Sequence, residues 1–70
     1  MSSVYKVIEI IGVSKKGWED AAKEAMTSAA ETLRELRVAE VVKMDLTLKD
    51  NGEIDMFRTK LSVSFKYEKD

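Results

Sequence analysis

The chain has 70 residues, 44% of them apolar, and balances 12 Lys and Arg against 13 Asp and Glu with no Cys, His or Pro. Missing Cys and His exclude disulfides, thiolate or imidazole metal sites and a Ser-His-Asp triad, while a formal charge of -1 leaves no cation excess for a nucleic-acid backbone. At this length one core supplies no more than about 3–5 kcal/mol, so with disulfides ruled out the expected support is association with further copies of the chain.

Val4 to Ile11 (VYKVIEII) is a β-branched run closed by Gly12 and predicts a buried first strand. Ser14 follows as the expected helix N-cap. From Lys15 to Leu36 the residues Trp18, Ala21, Ala22, Ala25, Ala29, Thr32, Leu33 and Leu36 recur every three or four positions, the stripe of an amphipathic helix. Its alanines allow close approach to a sheet, and Trp18, Leu33 and Leu36 supply the bulk, so Trp18 reads as core rather than as a cofactor contact.

Arg37 to Lys49 and Ile54 to Tyr67 predict two further strands, and the Asn51-Gly52 pair between them predicts a two-residue type I′ hairpin in which Asp50 pairs with Glu53. That register sets Leu46 opposite Phe57, Met44 opposite Thr59, Val42 opposite Leu61 and Val38 opposite Phe65, with Asp45 beside Arg58 and Lys43 beside Lys60 on the other face. A bulge near Glu40 is the feature that would alter the far end. The helical crossover makes strand two run parallel to strand one, and the hairpin makes strand three antiparallel to both. The expected architecture is therefore α+β: a single domain over residues 1–70 with β-α-β-β order, a three-stranded antiparallel sheet of order 1-3-2, and one helix packed on it. A strand as long as Arg37 to Lys49 extends roughly 43 Å against roughly 33 Å for the helix, so the hairpin tip must curl or meet other subunits.

No catalytic constellation accompanies this framework. Two carboxylates without a pocket-forming loop do not make a glycosidase, and Lys15-Lys16 and Lys43/Lys60 read as solvated charges or, as the sharper alternative, an anion site. The apolar stretch from Val7 to Val13 is broken by Glu9 and is far shorter than the roughly 20 residues that span a bilayer, so neither membrane nor nucleic acid is an expected partner and the expected location is cytoplasmic.

The β-α-β-β order, the opening VYKVIEIIGVS, the Trp- and Ala-containing helix, LRELRVAEVVKMD and the closing FRTKLSVSFKY together resemble the dodecins over nearly the whole chain. The resemblance implies a non-enzymatic, hollow homododecamer that binds or stores small ligands, in most members stacked flavins. In flavin-binding members a Trp at the start of strand two sandwiches the isoalloxazine ring and a Gln on strand three bonds its polar edge. The matching positions here are Val38, which offers no π-face, and Arg58, which offers donors but no acceptor. SVYKVIEIIG, RVAEVV and FRTKLSVSFK are similar to the flavin-lacking calcium dodecins, which also carry Val and Arg there. Asp45 then has two readings, a cross-strand ion pair with Arg58 or a calcium ligand completed by neighbouring subunits, with Glu9, Glu40 and Asp50 as the other strand-associated carboxylates. An assembly acting as a scaffold without a specific ligand is the alternative function.

Overall fold

The computed structural model describes residues 4–66. Four elements follow one another: strand β1 (Tyr5–Ser14), helix α1 (Trp18–Thr32), and strands β2 (Leu36–Leu48) and β3 (Ile54–Lys66). The sheet order is β1-β3-β2 with both flanking strands antiparallel to β3, the α+β arrangement expected from the sequence. No helix among the described residues is long and apolar enough to cross a membrane. Tyr67, the expected last residue of the third strand, lies outside the described residues.

The helix is shorter at both ends than the apolar stripe implies. Ser14 does not cap it: Ser14 ends β1, and its hydroxyl accepts the Lys16 N–H at 2.9 Å and donates to the Asp20 carboxylate at 2.7 Å. Gly17 occupies the N-cap position without a side-chain cap bond. At the other end the Leu33 N–H still bonds the Ala29 carbonyl, but Leu33 itself is extended and Glu35 takes φ 59°, turning the chain into β2. Leu36 fits the helical spacing yet belongs to β2, where it pairs with Phe65 on the face turned towards the helix. No Gly or Pro marks this boundary, so period alone carried the expected helix too far.

Close packing of α1 on the sheet explains the small residues. Ala21, Ala25 and Ala29 are the buried residues of the helix, and a Cβ on Gly12 would overlap the Ala21 carbonyl and stand 3.0 Å from the Ala25 Cβ. Gly12 is thus the point of closest helix–strand approach, where any side chain would force the layers apart. Around it Leu61 and Val63 are buried and Ile8, Ile10, Ala22, Met26 and Leu36 pack against them. Full burial of Leu61 and Val63 contributes roughly 1.5–3 kcal/mol each. Thr59, also buried, donates its hydroxyl to the Trp18 carbonyl at 2.8 Å.

The hairpin turn differs from the expected type. Lys49 rather than Asp50 pairs with Glu53, through the Lys49 N–H and the Glu53 carbonyl at 2.8 Å, and the Gly52 N–H bonds the Lys49 carbonyl at 2.9 Å. Among the described non-glycine residues only Glu35 has positive φ, so Asn51 cannot take the type I′ conformation, while Gly52 has φ 88°. This is the three-residue hairpin, a turn followed by a left-handed glycine. A second irregularity between Thr47 and Leu48 cancels the shift, so Leu46–Phe57, Met44–Thr59, Asp45–Arg58 and Lys43–Lys60 pair as expected. Beyond them a bulge between Val41 and Lys43 moves the register once more. Val41, not Val42, pairs with Leu61, and Val38 pairs with Ser64 rather than Phe65.

Helix and hairpin are mismatched in length. Fifteen residues of α1 span about 22 Å, whereas thirteen in β2 or β3 reach about 43 Å. The molecule measures 55 × 20 × 15 Å with a radius of gyration of 14.6 Å, against about 11 Å for a compact chain of this length. Its accessible surface is 5509 Å², where a compact monomer of this mass has about 4400 Å². The excess lies in part on the uncovered hairpin, where Met44 and Leu48 are 55% and 60% exposed and Ile54 is 50% exposed.

Candidate functional site

Antiparallel pairing sorts side chains into rows across the sheet, and the face turned away from α1 carries the charges. One row runs Val13, Arg58, Asp45; the next Ile11, Lys60, Lys43; the next Glu9, Ser62, Glu40; and the next Val7, Ser64, Val38. The polar centre of the face is the first two rows.

Asp45 and Arg58 form a two-pronged ion pair. Arg58 donates from Nε to Oδ1 at 2.7 Å and from Nη2 to Oδ2 at 2.9 Å, so both carboxylate oxygens are engaged. The hydrogen bonds from Arg58 hold the Asp45 carboxyl below its ordinary pKa, with smaller attractions from Arg58 and Lys43, and the same carboxylate raises the guanidinium above its own. The pair is partly open to water, with side chains 40% and 32% exposed for Arg58 and Asp45, so its contribution to stability is at the small end for ion pairs.

Trp18 holds this pair's strand in place. Its indole N–H donates to the Asp45 carbonyl at 3.0 Å, and its ring meets Phe57 edge-on with centroids 5.1 Å apart at 82°. Trp18 is therefore a clamp between the start of α1 and the hairpin, neither fully buried core nor free aromatic surface. Helical spacing placed it on the packed side, but the backbone partner on β2 is a tertiary contact that no local signal announces. Sequence reasoning also missed the ion pair from Lys60 Nζ to Glu9 at 3.2 Å, which depends on the β1–β3 register that places Ile11 opposite Lys60 and Glu9 in the next row.

The two positions that carry the flavin pocket in the resembling family are not brought together within one chain. Val38 is 63% exposed and pairs with Ser64, six residues along β3 from Arg58 and hence about 20 Å away. Val38 supplies no aromatic plane, and Arg58 already spends donors on Asp45. The carboxylates are equally dispersed. Glu9 and Glu40 flank Ser62 on opposite strands, Asp45 is bound by Arg58, and Asp50 sits in the turn. Among the described residues no group of three or more potential metal ligands converges. A calcium ion, which takes about six to eight oxygens, would need donors from more than one copy.

Comparison with known proteins agrees with the architecture. The Dodecin family model matches residues 4–68. The calcium dodecin of Mycobacterium tuberculosis is 48% identical over 64 residues, covering 91% of this chain and 89% of that protein, and the dodecin of Thermus thermophilus is 35% identical over 68 residues, covering 97% of each. A crystal structure of the Mycobacterium tuberculosis protein, described as calcium chelating with a novel calcium-binding site, superposes with a TM-score of 0.84 at 47% identity, covering 94% of this chain and 93% of that one.

Proposed function

The chain belongs to the dodecin family, and from that membership we propose that it is a non-enzymatic, cytoplasmic protein of one domain that assembles into a hollow homododecamer and binds or stores an ion, calcium, in place of the family's flavin. The observation that carries the ion reading is the 48% identity to a calcium dodecin across nine-tenths of the chain. The uncovered hairpin face and the elongated chain support assembly, since apolar strand surface of this extent is stabilised by a neighbour's side chains.

Loss of flavin binding follows from Val38 and Arg58. Without an aromatic plane at Val38 the ring loses its stacking contact, and Arg58 cannot accept a hydrogen bond from the ring's N–H. Asp45 is the strand carboxylate we assign to calcium. An ion there competes with Arg58 for both oxygens, and the remaining ligands come from carboxylates of adjoining copies. Affinity falls on acidification, because protonation removes the charge the ion requires.

Calcium titration by calorimetry on the assembled wild type and on Asp45→Asn tests this, beside a riboflavin titration followed by fluorescence quenching. Saturable calcium binding that weakens in Asp45→Asn, with weak or absent quenching, is the expected result. Equal affinity in both proteins removes Asp45 from the site, and stoichiometric submicromolar quenching overturns the flavin reading. A second reading, an assembly acting as a scaffold without a specific ligand, is favoured by the full engagement of Asp45 by Arg58, and absence of calcium binding in the wild type would select it.

A further inference from the structure

We propose that the sheet face turned away from α1 carries a site for a small oxyanion of the phosphate or carboxylate type, built by Lys43 and Lys60 with the guanidinium of Arg58. Lys43 and Lys60 stand directly opposite each other across the β2–β3 ladder, a like-charge placement that opposes strand pairing unless something negative lies between or beside them. Arg58 occupies the adjoining row of the same face, and all three cations line one cleft of about 110 Å³ together with Asp45 and Ile11.

Carboxylates within the chain do not neutralise this cluster evenly. Asp45 takes Arg58 and Glu9 takes Lys60, whereas among the described residues Lys43 has no carboxylate within ion-pair distance. Lys43 is therefore the cation of this cluster without an ion pair among the described residues, with Asp45 close enough to attract it and Glu40 in the adjoining row of the same face. Asp45 also fixes the guanidinium through two of its N–H groups and leaves the other donors for a further acceptor. An oxyanion in the cleft accepts from Lys43, Lys60 and Arg58 together.

Size selects the ligand class. A cleft of about 110 Å³ has room for several waters and so for a single phosphate or carboxylate group. Ile11 on β1 closes one side with an apolar wall, so part of the anion's hydration is replaced by protein donors, where charge-assisted hydrogen bonds are strongest. Asp45 and Arg58 are shared with the calcium reading, so the two are told apart by titrating each ligand in the absence of the other.

Calorimetric titration of the assembled protein with inorganic phosphate, and separately with acetate, tests the site in calcium-free buffer with ionic strength held constant by chloride. Wild type should bind saturably, and Lys43→Gln should weaken binding at least about tenfold, the loss expected from one hydrogen bond to a charged group. Lys23→Gln on the exposed side of α1 should titrate like wild type. Folding is controlled by thermal melting without added anion, where Lys43→Gln should melt no lower than wild type because it removes one of two facing cations. Saturation by phosphate alone, by acetate alone or by both supports the site and assigns its class. Heats that do not saturate with either anion, or an affinity unchanged in Lys43→Gln, overturn it.

Discussion

The two ends of the same sheet obey the same alternation and meet opposite fates. Where α1 covers it, β3 buries Thr59, Leu61 and Val63 almost completely, and β1 comes close enough at Gly12 to touch helix backbone. Beyond the helix, Leu46, Leu48 and Ile54 show the same apolar character and remain open. The difference arises from length, since about 22 Å of helix cannot cover about 43 Å of strand. An apolar strand position in this protein is therefore core in one half and contact surface in the other. The charged face across the sheet is common to both halves and carries the candidate site.

The largest expected contrast is between Leu61 and Leu48. Leu61→Ala should destabilise the fold by about 2–5 kcal/mol in chemical denaturation, because it leaves a cavity under the helix. Leu48→Asp should leave the helix-covered core intact and instead lower the assembled mass measured by light scattering, because it places a charge in an apolar contact. Equal losses of stability with unchanged mass would erase the distinction between the two ends.

Next in size is Gly12→Ala. The added methyl overlaps the Ala21 carbonyl, so α1 must shift away from β1, at a cost of about 1–3 kcal/mol read from the denaturation midpoint. At the other end, Gly52→Ala meets open space but retains the left-handed backbone at φ 88°, which costs about 1 kcal/mol from conformation alone. A Gly52→Ala effect as large as that of Gly12→Ala would mean that the turn, and not the helix contact, limits stability.

The smallest effect belongs to the ion pair, and pH resolves it. Asp45 has its folded pKa lowered by Arg58, so the pair's contribution is fully present above the unfolded value of about 4 and is lost as pH falls through the lower folded value. The raised Arg58 value keeps the guanidinium charged throughout the neutral and mildly alkaline range. Asp45→Asn should therefore melt slightly below wild type at pH 7 and approach it at pH 2. A gap that persists unchanged at pH 2 would show that the Asp45 side chain acts through neutral hydrogen bonding or packing rather than through charge.

Much of this was legible in the residues because it depends on local period and pairing. The alternation along Phe57, Thr59, Leu61, Val63 and Phe65 determined which face of β3 is covered, and the β-α-β-β order with the hairpin determined the 1-3-2 sheet. Asp45 met Arg58 as expected, although through two compensating irregularities instead of the uninterrupted register that the turn implied. Pairing near a turn is set over a few residues, so an error at Asn51 and a bulge beside Leu48 cancel within a few positions.

Only the tertiary structure decided the rest. The bulge between Val41 and Lys43 moved Val38 opposite Ser64, and nothing in VAEVVKM distinguishes the residue that drops out of the ladder, since each of its valines suits a strand. The helix ended at Thr32 because the chain had to turn into β2, although Leu33 and Leu36 continue the apolar spacing. Trp18 reached the Asp45 carbonyl and Lys60 reached Glu9 across strands far apart in sequence. Periodicity records which side of an element faces the core, but a register shift or a contact between distant strands is chosen by the packing energy of the whole sheet and helix, and that sum has no local signature.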